Sequence, residues 1–383
     1  MRDVGQILAQ WAQIEKAGES AILATVVKTR GSSYRLPGAR MLMTRDGRRL
    51  GAVSGGCLED DLVKKAWWLT ERGPVVQRYD TTADGELATG GYGLGCSGVI
   101  HVLLERLMPE AGSVLPLLEE VRTARQPAAV AHWIAPAKAV GSRAVLDTRG
   151  EFRFDSDPGR NTTLEEAMRA AVAGAGSRVF VLKGNALEDH AEVFVEALVP
   201  PVRLLVFGAG DDAVPMTKLA KFLGWQVIVL DGRAHYARSE KFPDADEVIV
   251  RRPGEWTDAG QIDPWTAAVV MNHSYRQDLE VVRELSGRQL PYLGLLGPRK
   301  RTEQLLLEAG LHAKPVASEL HNPMGLDTGA DGAEQIALSV IAEIQATLNR
   351  RSGGSLRDRY GSIHARDAND HNESPWVRPV ACA

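Results

Sequence analysis

Apolar residues near the N-terminus recur at helical intervals and then give way to short strand-like runs. The spacing of Ile7, Trp11 and Ile14 predicts a helix that ends near Gly18. Short apolar runs bounded by Gly, Ser and Pro clusters predict strands at 21–28, 39–44, 49–54 and 99–105. Helical spacing returns over 58–69, directly after two glycines, and predicts a second helix that a tight turn separates from the preceding strand.

The C-terminal half alternates apolar strand-like runs with helical or loop segments. The predicted strands lie at 203–207, 226–230, 247–250, 268–271 and 291–296. This alternation predicts a parallel sheet with helices on both faces and a ligand crevice at the carboxyl ends of the strands. A final helix is predicted at 333–348, and the polar composition after Arg350 predicts a flexible tail.

The region between these two patterns carries weaker signals. It predicts helices at 114–122 and 164–172 and strands near 128–133 and 142–146. The fold class is therefore α/β, with an N-terminal mixed α+β lobe followed by a Rossmann-like parallel-sheet domain. The predicted limits are 1–110 for the N-terminal lobe, 111–200 for its completion and a connector, 201–349 for the Rossmann-like domain and 350–383 for the tail.

Composition narrows the class of protein. The chain of 383 residues is 44% hydrophobic and 25% charged, which predicts more than one globular core. With 45 Lys and Arg against 49 Asp and Glu and no long basic run, a nucleic-acid partner is not expected. No apolar run reaches the ~18 residues of a membrane span, and the N-terminus predicts an amphipathic helix rather than a signal peptide, so we expect a cytoplasmic protein.

A glycine motif at the start of the parallel-sheet region resembles a dinucleotide fingerprint. Gly208 and Gly210 follow a predicted strand and open a helix, and Asp231 ends the next strand, 23 residues after Gly208. Such a motif binds NAD(P) in many folds, although Asp211 and Asp212 in the first helical turn would repel a pyrophosphate unless they point away. The alternative is that the glycines serve only close packing of strand and helix.

Three cysteines are too few for a disulfide framework, so each thiol is weighed singly. Cys57 follows Gly55 and Gly56 at a predicted helix N-terminus, where the helix dipole favours a nucleophilic or metal-binding thiolate. Three acidic residues at 59–61 oppose that charge, and a buried apolar cysteine is the equal alternative. Cys382 lies in the predicted tail and is interpreted as incidental.

Other segments contain residues that could bind anions or act in catalysis, but that could equally have structural roles. The glycine-rich stretch 92–98, which contains Cys96, has the composition of an anion-binding nest or of a tight turn. Arg35 lies in the turn-rich segment 29–39, where arginines bind phosphate or simply solvate a hairpin. The basic cluster 298–301 and His273 follow predicted strand ends, where anion binding or catalysis competes with a structural role.

Several familiar catalytic motifs are missing from the sequence. There is no Gly-x-Ser-x-Gly elbow, phosphate-binding loop with Gly-Lys-Ser/Thr, His-Glu-x-x-His pair or EF-hand loop. Common hydrolase and kinase functions are therefore not expected.

Taken together, these motifs resemble the xanthine dehydrogenase accessory protein family, XdhC/CoxI. The motifs that carry the resemblance are GSS at 31–33, PGA at 37–39, SGGCLE at 54–59, YGLGC at 92–96, GAG at 208–210, YLGLLG at 292–297 and MGLDTGA at 324–330. The sequence departs from the usual family pattern at Asp211, where members have His, and at 272–274, where Thr-His-Asp is usual.

The resemblance implies a chaperone without turnover, and so without catalytic residues. It would bind molybdenum cofactor, assist its sulfuration by a cysteine desulfurase and insert it into a molybdenum hydroxylase apoenzyme such as xanthine dehydrogenase. If the role of the family's cysteine is transferred to this chain, the Cys57 thiolate is expected to contact the metal or its sulfur, as a soft ligand. The residues expected to bind the cofactor are Cys57, Gly55, Gly56, Arg35, Arg40, Cys96, Gly208, Gly210 and Asp231.

Two rival functions stay open at this point. The first is an NAD(P)-dependent oxidoreductase that uses Gly208, Gly210 and Asp231, with His273 as acid or base. The second is a scaffold that docks apoenzyme and desulfurase through its first helix and carries no small molecule. The client enzyme, the form of the cofactor and the oligomeric state, including a homo-oligomer, are left open.

Overall fold

The protein is described from a computed structural model, which separates into two compact units. The residues it describes are 2–56, 58–80, 98–109, 111–154, 161–183, 190–252, 254–255, 262–288, 290–311 and 320–358. The first unit extends from Asp3 to Pro200, and the second begins at Pro201. Cys57, Cys96, Cys382 and most of the predicted tail lie outside the described residues.

The regular elements are numbered here in chain order. The helices in the described ranges are α1 (Arg2–Lys16), α2 (Glu59–Leu69), α3 (Leu115–Ala124), α4 (Thr162–Ala170), α5 (Ala213–Phe222), α6 (Tyr275–Leu285), α7 (Arg299–Glu308) and α8 (Ala333–Leu348). The strands of the first unit are β1 (Ala21–Gly31), β2 (Arg40–Thr44), β3 (Arg49–Gly51), β4 (Val75–Asp80), β5 (Gly98–Leu107), β6 (Ala128–Ala135), β7 (Arg143–Leu146), β8 (Phe152–Phe154), β9 (Arg178–Leu182) and β10 (Ala191–Leu198). The strands of the second unit are β11 (Arg203–Phe207), β12 (Gln226–Asp231), β13 (Glu247–Val250), β14 (Thr266–Val270), β15 (Tyr292–Leu295) and β16 (Leu320–His321).

The first unit contains two antiparallel sheets of five strands each. Their orders are β3-β2-β1-β5-β4 and β8-β7-β6-β10-β9. The central strand β1 pairs with β2 and with β5, and its register against β5 shifts between Val26 and Lys28. Strand β6 likewise pairs with β7 and β10. Each sheet therefore has a central strand that is buried throughout 21–27 or 128–134, which explains why these segments are apolar except at Thr25 and His132.

Both faces of β1 are buried, and successive residues pack into different cores. Ala21 and Leu23 belong to a core that also contains residues of α1, α3, β6 and β10. Ile22 and Ala24 pack on the opposite side, with α2. Because side chains alternate across a strand, one apolar run supplies both cores. Helix α4 covers the second sheet on its far side, against Val195 and its neighbours.

The second unit is a six-stranded parallel sheet in the order β13-β12-β11-β14-β15-β16. The strand order reverses between β11 and β14, which is the arrangement that creates a ligand crevice at the carboxyl ends of those strands. Leu204 and Val206 pack with α5 and α8 on one face. Leu205 and Phe207 pack with α6 and α7 on the other. The predicted α/β fold class, with a Rossmann-like parallel sheet after a mixed lobe, is confirmed.

The apolar pattern located most elements but not all of them. The predicted helix at 333–348 coincides with α8, and every predicted strand of the second unit overlaps an observed one. The pattern gave no prediction for β4, β8, β9, β10 or β16. Residues of β4 and β9 are mostly half-buried, because both are edge strands, so their alternation of apolar and polar residues is weak. Within the described ranges, no helix has both the length and the apolar character needed to cross a membrane.

Candidate functional site

The turn between β3 and α2 is built around a buried carboxylate. Glu59, the first residue of α2, accepts hydrogen bonds from the backbone N–H groups of Val53 (3.1 Å) and Ser54 (2.8 Å) at Oε1. Its Oε2 accepts from the Ser54 hydroxyl and from the Leu58 N–H at 3.2 Å. The Ser54 hydroxyl in turn accepts from the N–H of Gly56 at 3.2 Å. One carboxylate thus fixes backbone on both sides of position 57.

These hydrogen bonds determine the protonation of Glu59. Burial alone would raise its pKa, because it penalises the charged form. The hydrogen bonds from the side chain and backbone of Ser54 and from the backbone of Glu59 and Val53 outweigh burial, and the net pKa is lowered. Glu59 is therefore an ionised structural group at neutral pH.

The glycines that precede position 57 are exposed, in contrast to Val53, Ser54 and Leu58. Gly56 has a φ of +115°, which a residue with a side chain rarely adopts. Cys57 itself lies outside the described residues, so its role as metal contact stays a prediction. The described part of this turn, 53–56 and 58, will be called the Glu59 loop.

The segment that contains Arg35 lies against the Glu59 loop. Arg35 Nε donates to the carbonyl oxygen of Ala52 at 3.2 Å, and its guanidinium group forms an ion pair with Asp3 of α1. The hydroxyl of Ser33 donates to the carbonyl oxygen of Arg35 at 2.6 Å. These contacts fix the segment, and they engage the guanidinium group that was expected to bind the cofactor.

Arg40 lies in a different environment from Arg35. Its guanidinium group forms a bidentate pair with Glu196, in which Nη1 donates to Oε1 at 2.7 Å and Nη2 donates to Oε2. His132 Nε2 lies 3.6 Å from Glu196 Oε2. All three side chains are buried, and the pair joins β2 of one antiparallel sheet to β10 of the other. This geometry favours a structural role for Arg40, and its predicted contact with the cofactor gains no support.

In the second unit, the conformation of Gly208 has a packing cause. Gly208 has a φ of +121°, and a methyl group there would lie 2.7 Å from the carbonyl oxygen of Met271, after β14. At Gly210 a methyl group would overlap the carboxylate of Asp212. Gly208 therefore permits close approach of the chain after β11 to the end of β14, and Gly210 leaves room for the Asp212 side chain. Close packing is the alternative considered beside nucleotide binding.

The carboxylate of Asp231 is saturated by donors from the protein. It is fully buried and accepts from the N–H of Ala209 at 2.8 Å and from the N–H of Arg233 at 2.9 Å. The Arg233 guanidinium group adds two more bonds, at 3.0 and 2.8 Å. Burial acts to raise the pKa of Asp231, but these bonds, led by those from the Arg233 side chain, lower it overall. A ribose hydroxyl would have to compete with Arg233 for this carboxylate.

The second unit contains another buried carboxylate, that of Asp278, which contacts a residue just after the carboxyl end of β14. The Asn272 amide donates to Asp278 Oδ1 at 3.0 Å, and Arg301 of the basic cluster pairs with Asp278 Oδ2 at 2.6 Å. Burial raises the pKa of Asp278 and outweighs the opposing effects of Arg301 and Asn272. His273 is exposed, with Nε2 3.7 Å from Asp212 Oδ2. Of the basic cluster, Arg301 is therefore committed to packing α7 against α6.

Two residues of the first unit were missed as candidates by the sequence analysis. Glu59 was considered only as a charge that opposes a Cys57 thiolate, whereas its carboxylate organises the whole turn. The distance of five residues from Ser54 to Glu59 does not match the capping-box spacing, so no standard signal marked it. Tyr34 was passed over between the serines and Arg35, although it is exposed beside the Glu59 loop.

Comparison with known proteins agrees with this architecture. The chain matches the family models described as "XdhC and CoxI family" over residues 14–80 and "XdhC Rossmann domain" over residues 204–344. It is 35% identical over 333 residues to a probable subunit of xanthine dehydrogenase from Bacillus subtilis (strain 168), a match that covers 87% of this chain and 94% of that protein.

Two further similarities extend over most of the chain. The molybdenum cofactor insertion chaperone PaoD of Escherichia coli (strain K12) is 26% identical over 332 residues, 86% of this chain and 83% of that protein. A crystal structure of a xanthine dehydrogenase from Bacillus halodurans superposes with a TM-score of 0.75 at 30% identity and covers 93% of this chain and 98% of that one. The resemblance inferred from the motifs is confirmed, and the chain belongs to the XdhC and CoxI family.

Proposed function

We propose that this protein binds molybdenum cofactor as its cargo and inserts it into the apoenzyme of a molybdenum hydroxylase. The structure of the Glu59 loop is the main support for placing the cofactor-binding site there. A buried ionised carboxylate holds backbone on both sides of position 57, while Gly55 and Gly56 stay exposed. Such a turn suits a ligand that must approach the backbone closely and must later be released.

The chemistry of the cargo agrees with the residue types at this turn. Thiolates are preferred ligands for soft metal centres and for sulfur-rich metal groups, so Cys57 is the proposed contact to the metal or its sulfur. The negative charge of Glu59 makes an unbound thiolate at a neighbouring position less favourable, whereas a positively charged metal centre would offset it. Cys57 would accordingly bind its cargo reversibly rather than as a permanent metal site.

Two finer parts of the proposal concern partners. A cysteine desulfurase would supply sulfur to the cofactor while it is bound, and the receiving hydroxylase would be a xanthine dehydrogenase or a related enzyme. The similarity to a protein named as an insertion chaperone and to one named as part of xanthine dehydrogenase supports the hydroxylase as a partner. The desulfurase is proposed from the resemblance to the family alone.

The experiment compares the wild type with single cysteine variants purified without oxygen from cells that make the cofactor. Pterin is measured by fluorescence after oxidation, and molybdenum by elemental analysis. Pterin and molybdenum should accompany the wild type and be lost from Cys57→Ala, while Cys382→Ala serves as the matched control and should retain both. A Cys57→Ala protein that holds wild-type amounts of both would show that Cys57 is not the contact.

A wild type without bound cofactor needs a second step. Molybdenum cofactor released from a purified hydroxylase is then added under anaerobic conditions, and bound pterin is measured after removal of the excess. If the wild type still retains none, and does not increase activation of an added apo-hydroxylase, the proposed function is wrong.

A further inference from the structure

Tyr34 exposes its aromatic ring beside the Glu59 loop. The residue is 68% exposed, although Ser33 before it is buried and Arg35 after it is half-buried. A single exposed tyrosine is unremarkable by itself. Two further features distinguish Tyr34: its ring lies beside Gly55, and hydrogen bonds hold the segment that contains it.

A side chain at position 55 would touch one face of the Tyr34 ring. A methyl group built on Gly55 would lie 3.5, 3.6 and 3.7 Å from the Cγ, Cδ2 and Cδ1 atoms of the ring. Three nearly equal distances place this methyl position over the ring plane, since a position at the ring edge would be much closer to one atom than to the others. Because Gly55 has no side chain, it does not cover the ring, and Tyr34 is 68% exposed.

The backbone on either side of Tyr34 is anchored. Ser33 donates to the carbonyl oxygen of Arg35 at 2.6 Å, and Arg35 is held by Ala52 at 3.2 Å and by its ion pair with Asp3. Because the backbone on both sides of Tyr34 is already held, a ligand that covers the ring has little backbone entropy left to remove, which lowers the entropic cost of binding. The ring is therefore carried on an anchored segment.

We propose that the exposed face of Tyr34 stacks on the planar pterin ring system of the cargo. This inference rests on the proposed function, and it names the residue that would recognise the heterocyclic end of the cofactor. Aromatic side chains bind flat heterocycles by stacking, with offset or parallel rings. Gly55 beside Tyr34 has no side chain that would block a fused ring system from lying on the tyrosine ring.

The short sequence distance between Gly55, beside Tyr34, and Cys57 agrees with a cargo that has a pterin end and a metal end. Gly55, whose missing side chain would touch the ring, precedes Cys57 by two residues in the sequence. A ligand that stacks on Tyr34 with its pterin end could therefore direct its metal end to the thiol. A protein partner would be expected to need a larger apolar surface than Tyr34 and the neighbouring exposed Leu36 offer.

The test measures binding of molybdenum cofactor, released anaerobically from a purified molybdenum hydroxylase, to four forms of the full chain. Tyr34→Phe keeps the ring, and Tyr34→Ala removes it. Trp68→Ala is the matched control, since Trp68 is a comparably exposed aromatic residue (71%) on α2. Bound pterin is separated from free pterin by ultrafiltration over a range of cofactor concentrations, and a thermal unfolding curve establishes that each variant is folded.

We expect Tyr34→Ala to weaken binding by about five- to a hundredfold, the range for loss of one stacked ring, while Tyr34→Phe and Trp68→Ala stay within about twofold of the wild type. Wild-type binding by Tyr34→Ala would overturn the inference and leave the proposed function intact. Equal losses in Tyr34→Phe and Tyr34→Ala would also overturn it, since the hydroxyl group and not the ring face would then matter.

Two further outcomes are informative. Normal binding by Tyr34→Ala with impaired activation of an apo-hydroxylase would assign Tyr34 to a protein contact and would contradict stacking. Failure of the wild type itself to bind added cofactor, together with no increase in activation of an apo-hydroxylase, would remove the proposed function and this inference together. This outcome differs from the others because all four forms then behave alike.

Discussion

The carboxylate of Glu59 accepts hydrogen bonds from both the backbone N–H and the side-chain hydroxyl of Ser54. This double contact, together with the bonds from Val53 and Leu58, closes the turn that precedes α2. The turn is thus held by a single side chain that lies beneath it. The backbone at Gly56 and Leu58, on either side of position 57, therefore depends on Ser54 and Glu59.

Glu59→Gln should lower the free energy of unfolding by about 1.5–3 kcal/mol, the range for hydrogen bonds to a charged group. A glutamine presents an NH₂ group to backbone donors and so cannot accept all four bonds. The matched control is Asp60→Asn, since Asp60 is exposed and pairs with Arg49 at the surface; we expect a change within about 0.5 kcal/mol. Urea unfolding monitored by circular dichroism measures both, and equal effects of the two substitutions would contradict the structural role of Glu59.

The contribution of Glu59 should also depend on pH. Its pKa is lowered in the folded protein, so the unfolded state binds the proton more readily. The stabilisation is complete above the ordinary glutamate pKa of about 4.3 and is lost as the pH falls through the lower folded value. The difference in stability between wild type and Glu59→Gln should therefore be constant between about pH 6 and about pH 8 and should shrink in acid. A difference that grows in acid would exclude an ionised Glu59.

The buried pair of Arg40 and Glu196 should be costly to break from one side. Their side chains are only 2% and 5% exposed, so Glu196→Gln leaves the guanidinium group without its charge partner. We expect a loss of about 3–5 kcal/mol, whereas the double variant Arg40→Met/Glu196→Leu should be much nearer the wild type. Unfolding curves of Arg40→Met, Glu196→Leu and the double variant form a double-mutant cycle. Additive effects would show that the two residues do not act as a pair.

Gly208→Ala should destabilise the second unit without any ligand present. The residue has a φ of +121°, and the added methyl group would meet the Met271 carbonyl oxygen at 2.7 Å, so we expect a cost of about 3 kcal/mol or more. Gly5→Ala is the control, because Gly5 lies in α1 with no atom near the added methyl group, and should stabilise by about 0.5–1 kcal/mol. A Gly208→Ala protein as stable as the wild type would mean that the glycine serves something other than packing.

Titration with NAD⁺, NADH and their phosphorylated forms should give no saturable heat. The carboxylate that would bind the ribose hydroxyls in a dinucleotide site, Asp231, already accepts four hydrogen bonds from Ala209 and Arg233. Isothermal titration calorimetry on the full chain provides the measurement. Saturable binding that is lost in Asp231→Asn would favour the oxidoreductase function instead.

The sequence determined the architecture because hydrophobic patterns report burial directly. The short apolar runs within 203–207 and 226–230 indicate strands buried on both faces, and their alternation with helices implied a parallel sheet. The short motifs also determined the family, because their order and combination are specific even though each one is weak. Edge strands such as β4 escaped prediction, since half-buried strands carry a weaker pattern.

Only the tertiary structure decided what the polar residues of the candidate site do. Arg35 and Arg40 are five residues apart and look equivalent in sequence, yet one is fixed by Asp3 and Ala52 and the other is buried against Glu196, 156 residues away. Likewise, the sequence alone indicates that Glu59 is a surface charge, whereas the structure shows that it is buried and accepts several hydrogen bonds. The physical reason is that the role of a charged group is set by its partners and its burial, and distant segments of the chain supply both.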